Sequence, residues 1–273
     1  MAITVKPLDA PLGAEILGLD ARNITDDDRK TIFDAFLKYH ILVLHDQHLT
    51  DAELVEFGKC FGTIEKSRVI SPLSGRDDIM VISNIREDGK PLGQLPDGEM
   101  SFHFDRIHQK QPCRAAALMA LEIPKEGGDT LFANMVLAYE TLPDDLKQKI
   151  AGRTALNTFT YGATSPDKRE GQGPQCEHPV ARTIPETGKK ALYVCRLMSD
   201  RINGMDPTES RALLDQLCDH AENPRFTYQH KWKVGDIVVW DNRATQHART
   251  DFSEMERRLM KRVTIGDDRP PMH

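Results

Sequence analysis

Phe102-His103-Phe104-Asp105 is the stretch from which the rest of this chain is read. Side chains of an extended strand alternate faces with a period of two, so His103 and Asp105 are expected to point the same way. An imidazole and a carboxylate converging from one strand face supply two adjacent corners of an octahedral metal. Two histidines and one carboxylate, with the opposite face left open, make the usual cradle for non-heme Fe(II). The same four residues also describe a His and an Asp at a strand end, bonded to nearby loop backbone. The choice between the two rests on the rest of the chain.

Outward from this stretch the chain reads as many short strands. Cys113 to Leu121 is an apolar run of strand length, and Gly127-Gly128 turns into another at Asp129 to Ala133. Upstream, Ile3-Thr4-Val5, Ile41-Leu42-Val43-Leu44 and Met80-Val81-Ile82 read the same way. So do Leu192 to Val194, Phe226 to Gln229, Ile237 to Trp240 and Leu259 to Thr264 downstream. Pro7, Pro11, Gly13 and Gly18 make the opening rich in turns.

Helices punctuate the strands. Thr25, followed by Asp26, Asp27 and Asp28, is an N-cap with an acidic first turn, and Ile32, Phe33, Phe36 and Leu37 recur at helical spacing up to about Tyr39. Thr50 caps a second helix that stops near Gly62. Ala138 to Ile150 reads as two short helices divided at Pro143, and Ser210 to Ala221 as another helix.

Two segments read as irregular. Residues 86–100 hold the turn formers Asp88, Gly89, Pro91, Gly93 and Pro96, which marks a candidate lid loop. Residues 164–179 are polar and turn-rich, an insertion on the surface. Regular strand–helix alternation is missing. The pattern predicts one domain over residues 1–273, mainly β with flanking α: an antiparallel sandwich or jelly roll (double-stranded β-helix) with outer helices.

Composition narrows the class. A chain of this length buries a sizeable core; 39% hydrophobic and 29% charged residues read as soluble and globular. A net charge of −6 and the lack of a Lys/Arg stripe argue against a nucleic-acid partner. No apolar run reaches membrane-spanning length, and Met-Ala-Ile-Thr-Val-Lys shows no signal-peptide pattern. Cys60, Cys113, Cys176, Cys195 and Cys218 are scattered without a Cys-x-x-Cys pair, which fits a reducing cytoplasm.

The far end carries the remaining chemistry. Trp240-Asp241-Asn242-Arg243-Ala244-Thr245-Gln246-His247 follows a strand and ends on a histidine placed to be a third ligand. In Arg258-Leu259-Met260-Lys261-Arg262-Val263, strand alternation puts Arg258, Met260 and Arg262 on one face. Those arginines either sit on a solvated edge strand or enter the mouth of a barrel, where a guanidinium grips a carboxylate in bidentate fashion. Alternation alone leaves both open.

Taken together, these segments resemble the taurine/2,4-dichlorophenoxyacetate dioxygenase family of Fe(II)- and 2-oxoglutarate-dependent oxygenases. "PLGAEILGLD", "ILVLHDQHLT", "FHFD", "GGDTLFANM", "WDNRATQH" and "RRLMKRVTIGD" are similar to that family's segments, in order, from about Ile3 to Asp267. The resemblance implies that His103, Asp105 and His247 are the iron ligands. It implies that Thr130 and Arg258 hold the carboxylates of the 2-oxoglutarate cosubstrate, and that Arg262 faces a substrate anion. A dianionic cosubstrate needs a fixed positive fork, and its keto acid end fills the two metal positions that protein leaves free. Trp240 is read as core packing beside the site.

The departures concern the substrate. Phe102 stands where the family has Trp. Ser67 and Ile70 align with a His and a Tyr of the taurine pocket, Met198 with an aromatic residue, and Gly162 and Ala163 with a Ser and a Phe. An apolar, roomier pocket is implied, with Glu99 entering from the loop. Asp105 speaks against halogenation, which needs that ligand position vacant.

The implied activity is oxidation of a C–H bond in a small, anionic organic molecule by hydroxylation, with cleavage following where the hydroxylated carbon lies beside a heteroatom; the sequence leaves hydroxylation, cleavage and desaturation open. It uses Fe(II), O2 and 2-oxoglutarate and releases succinate and CO2, in an enzyme that forms a homo-oligomer (dimer or tetramer). Two other readings keep the triad: a Zn-dependent hydrolase and a metabolite-binding barrel without turnover.

Overall fold

The computed structural model describes residues 3–67, 69–95, 98–168 and 173–273. Two β-sheets pack face to face. The larger has the strand order Thr4–Pro7, Ala14–Leu17, Ile41–Leu44, Ile237–Asp241, Cys113–Glu122, Leu259–Gly266, Met80–Ser83. The smaller has the order Thr227–His230, Thr130–Asn134, Thr245–Arg249, Met100–His103. Its pairs are antiparallel throughout. In the larger sheet Ala14–Leu17 runs parallel to Ile41–Leu44. The fold is the expected one: mainly β, with a jelly-roll core and outer helices.

Both faces of the larger sheet are covered, which explains its unbroken apolar runs. Ile41, Val43, Ala116, Leu118, Val238 and Trp240 face the smaller sheet and meet Phe132 from it. The alternate residues Leu42, Leu44, Ala117, Met119, Ile237 and Val239 face the helices and pack on Ile32, Phe36, Leu54 and Phe57. Each Val, Leu, Ile, Met or Phe among them contributes about 1.5–3 kcal/mol when fully buried.

Local chemistry starts those helices. Thr25 caps Asp26–Tyr39 and Thr50 caps Asp51–Gly58, each with a reciprocal bond from the third helical residue, Asp28 or Glu53. The outer side of the smaller sheet is closed by the helices Met135–Glu140, Asp144–Ile150 and Pro207–Ala221. Among the described residues, no helix is long and apolar enough to cross a membrane.

Several expectations change. Strand Met100–His103 stops at His103, so Asp105 lies in the turn beyond it rather than on the same strand face. The opening contains a strand, Ala14–Leu17, held by main-chain pairing on both sides. Residues 164–179 are not all excursion: Gln175–Pro179 pairs with Thr154–Thr158, which also pairs with Ser199–Ile202. Residues 169–172 of that segment lie outside the described residues. In the 86–100 loop, Arg86–Glu87 and Lys90–Pro91 pair as a small hairpin, and residues 96–97 lie outside the description. Leu259–Gly266 is flanked on both sides, by Cys113–Glu122 and Met80–Ser83, so it is not an edge.

Candidate active site

Cross-strand register brings the two histidines together. His247 lies opposite His103 in the smaller sheet, with ring centroids 4.2 Å apart. His247 is also opposite Phe132, and Arg249 opposite Thr130. Directly opposed residues share a face, so His103, His247, Thr130 and Arg249 all line the inner face of the smaller sheet.

Asp105 joins them by another route. The side-chain amide of Asn242 accepts from the Asp105 N–H at 2.8 Å and donates to the Asp105 carbonyl at 3.0 Å. It takes the place of the strand pairing that ended at His103 and fixes the turn. The buried ring of Phe104 packs on Tyr193, 4.5 Å between centroids. As a result one ligand atom each from His103, Asp105 and His247 lies within 4.8 Å of the others, and all three residues are buried.

The electrostatics suit a divalent cation. His103 Nδ1 lies 3.0 Å from the Ser101 carbonyl, which fixes Nδ1 as the protonated nitrogen and leaves the Nε2 lone pair free. Burial pushes both imidazoles down, His247 to about 3 with His103 adding to the effect, so both are neutral. Burial works to raise Asp105, but the charge and hydrogen bond of Arg262 lead the opposing effects and the carboxyl is held at about 2. Asp105 Oδ1 accepts from Arg262 Nη1 at 3.0 Å, while Oδ2 is buried without a partner, 3.7 Å from His247 Nε2. Two neutral imidazoles, an ionised carboxylate and an orphaned oxygen are the donor set a non-heme iron takes.

A second charged centre lies nearby. Arg258 is buried; its Nη2 donates to the Gly128 carbonyl at 3.2 Å and its Nε has no partner. Burial first, and then the charge of Arg249, pull its guanidinium down to about 9. Among the described residues no carboxylate comes within ion-pair distance of it. Arg249 and Arg258 share the ring of Phe252, at 5.5 and 5.8 Å. The Gly127-Gly128 turn makes room: both glycines have positive φ, and a Cβ on Gly128 would sit 3.2 Å from Arg258 Nε. Thr130, next on this turn, is buried and accepts a hydrogen bond from the Trp232 indole at 3.0 Å.

The remaining predicted residues scatter. Arg262 is buried, reaches Asp105, and lies 5.6 Å from the ring of Trp240, which itself lies 4.9 Å from His247. Arg262 also lines a narrow cleft with Ser67, Met80 and Thr264. Glu65, Asp78 and Arg106 line it too, so charged side chains stand in its wall beside Met80. Met198 is buried, whereas Ile70 is 56% exposed and Glu99 is exposed. Sequence reasoning passed over Asn242, Trp232 and Arg249. Asn242 and Arg249 flank His247 within a few residues, which is the signal that was available.

The chain matches, over residues 4–264, the family model described as taurine catabolism dioxygenase TauD, TfdA family. It is 35% identical to pentalenolactone F synthase of Streptomyces arenae, over 98% of this chain and 96% of that protein. It is 31% identical to the (S)-phenoxypropionate/alpha-ketoglutarate-dioxygenase of Sphingobium herbicidovorans, over the same shares. Among solved structures, AAD-2 in complex with Mn(II) and N-oxalylglycine superposes with a TM-score of 0.86 at 29% identity, covering 100% of both chains.

Proposed function

The chain belongs to the TauD/TfdA dioxygenase family, and we propose from that premise which of its residues do the work and on what. As an alpha-ketoglutarate-dependent dioxygenase it uses Fe(II), 2-oxoglutarate and O2. The reading assigned to the site is oxidation of a C–H bond in a small organic anion. Relatives named for phenoxypropionate and for sulfate esters support the anionic substrate. The observation that carries the residue assignment is the presence of a buried His/Asp/His cluster together with a buried arginine that has no ion-pair partner among the described residues.

In this reading His103, Asp105 and His247 hold the metal. Bound iron supplies the activation of O2 that couples decarboxylation of 2-oxoglutarate to oxidation of the substrate. Arg258 and Thr130 hold the distal carboxylate of the cosubstrate: a guanidinium fork and a hydroxyl, both buried and both short of partners. Arg262 balances Asp105 and turns its unpartnered Nε side toward the substrate anion. Met198 contributes a buried wall, and Ile70 and Glu99, both exposed, form the rim. The 86–100 loop acts as lid, supported by bonds from Arg249 to the carbonyls of Leu95 and Gly98. Five cysteines without a disulfide suit the cytoplasm, and a homo-oligomer is the expected assembly.

Anaerobic titration with Fe(II) and then 2-oxoglutarate tests the assignment. A visible charge-transfer band is expected in the wild-type protein and is lost in His103→Ala and Arg258→Ala. Folded protein that binds Fe(II) and 2-oxoglutarate without that band would overturn it.

A further inference from the structure

The indole of Trp232 is buried and donates its Nε1–H to Thr130 Oγ1 at 3.0 Å. An indole can only donate, so Thr130 can only accept from it. The single hydroxyl proton of Thr130 is therefore turned away from Trp232, and among the described residues no acceptor takes it. A hydroxyl left to itself rotates to suit whichever partner is near; here the indole occupies one acceptor position, which keeps the proton off that side and leaves it to donate to another acceptor.

The indole is itself held. His230 packs edge-on against it, 4.6 Å between centroids at 87°. His230 Nε2 is 3.0 Å from Asp236 Oδ2, and its Nδ1 is 3.1 Å from the Tyr228 hydroxyl. Asp236, fully buried, also accepts from the Lys233 N–H at 2.9 Å and pairs with His45 Nδ1 at 2.6 Å. Local bonds among Tyr228, His230, Lys233 and Asp236, with His45 the one chain-distant anchor, thus fix the turn that carries Trp232. The other tryptophan, Trp240, has its ring nitrogen buried without a partner, so indole burial here does not by itself bring a hydrogen bond.

We infer that Trp232 is a positioning residue for 2-oxoglutarate: it sets Thr130 as a hydrogen-bond donor to the cosubstrate carboxylate that Arg258 holds. The inference rests on the role proposed above for Thr130. It predicts that Trp232 acts on the cosubstrate through Thr130 and leaves the metal alone.

The test is a double-mutant cycle on 2-oxoglutarate affinity, read anaerobically with Fe(II) bound, with Mn(II) affinity measured in parallel. Trp232→Phe and Thr130→Val are each expected to weaken 2-oxoglutarate binding about tenfold, the size of one charge-assisted hydrogen bond. The double variant should bind about as Thr130→Val does, and Mn(II) affinity should stay within about twofold throughout. Multiplying effects in the double variant, an unchanged Trp232→Phe, or parallel loss of Mn(II) binding would each overturn the inference. An unchanged Thr130→Val would instead locate the failure in the reading of Thr130.

A measurement without substitution at Trp232 guards against misfolding of that variant. The chain has two tryptophans, so Trp240→Phe assigns the indole proton resonances. Adding N-oxalylglycine to the Zn(II)-loaded protein is expected to shift the Trp232 indole, and Thr130→Val to abolish that shift. A Trp232 resonance that ignores the ligand would overturn the inference as well.

Discussion

Arg243 and Arg258 are both buried arginines of one molecule, and their surroundings push them in opposite directions. Arg243 meets Asp241 through Nε and Nη2, both at 2.9 Å, and Glu186 through Nη1 at 2.8 Å. Burial alone would lower its pKa, but those carboxylates more than offset it and raise it. Arg258 has a carbonyl and an aromatic ring for company, and burial with the Arg249 charge brings it down to about 9. The first is a finished ion-pair network that fixes the turn before His247. The second is a cation that the protein leaves unbalanced, and a buried unpaired charge is costly unless a bound partner offsets it. Side-chain type and burial do not separate a structural arginine from a receptor; the charge ledger around each does.

The largest effect should come from breaking the finished side. Arg243→Met strands the buried Asp241 carboxylate, while Glu186 keeps Arg114, and is expected to cost about 3–5 kcal/mol in chemical denaturation. Arg258→Met removes a buried charge that no carboxylate among the described residues pairs with, Asp129 offsetting it only from a distance, so its stability should equal or exceed that of the wild type. If both variants lose stability alike, the contrast fails.

The same Arg258→Met protein should bind 2-oxoglutarate about 100-fold more weakly by calorimetry, equivalent to roughly 2.7 kcal/mol. Affinity unchanged by that substitution would remove Arg258 from the site. Conversely, 2-oxoglutarate at 100 times its Kd should stabilise the metal-loaded wild type by about 2.7 kcal/mol. At that same ligand concentration the midpoint of Arg258→Met should barely move.

A smaller effect sharpens the boundary between the two regions. Asn242 sits between Asp241 and Arg243 but serves the metal cluster, through the backbone of Asp105. Asn242→Ala is expected to weaken Fe(II) or Mn(II) binding about tenfold, as the loss of a group that orients a ligand does. Its effect on 2-oxoglutarate should be within about twofold once metal is saturating. A variant that weakens both equally would mean that the turn serves the whole cavity rather than Asp105.

Strand and helix content was legible because it is local. Thr25 and Thr50 announce their helices by residue type, and Ile41 to Leu44 is apolar on every residue because that strand is buried on both faces. Ala14–Leu17 is marked as a strand only by its family resemblance, since the opening reads as turns by composition, and Gln175–Pro179 is misread; both carry charged or turn-forming residues and are strands through main-chain pairing. The expectation for His103 and Asp105 reached the right convergence by the wrong geometry. Period-two alternation predicted a shared strand face, whereas Asn242, distant in sequence, holds Asp105 in the turn.

The sequence by itself determined the family, the identity of the triad and of Arg258 and Thr130 as candidates, and the jelly-roll class. Those rest on residue types in fixed order, which survive without coordinates. Only the tertiary structure decided which charges are balanced. It paired Arg262 with Asp105, surrounded Arg243 with carboxylates, and, among the described residues, left Arg258 without one at ion-pair distance. It also seated the Trp232 indole on Thr130. Apart from the local Asp241–Arg243 pair, these contacts join residues far apart along the chain at about 3 Å, and hydrogen bonds and buried charges are governed by such distances rather than by spacing in sequence.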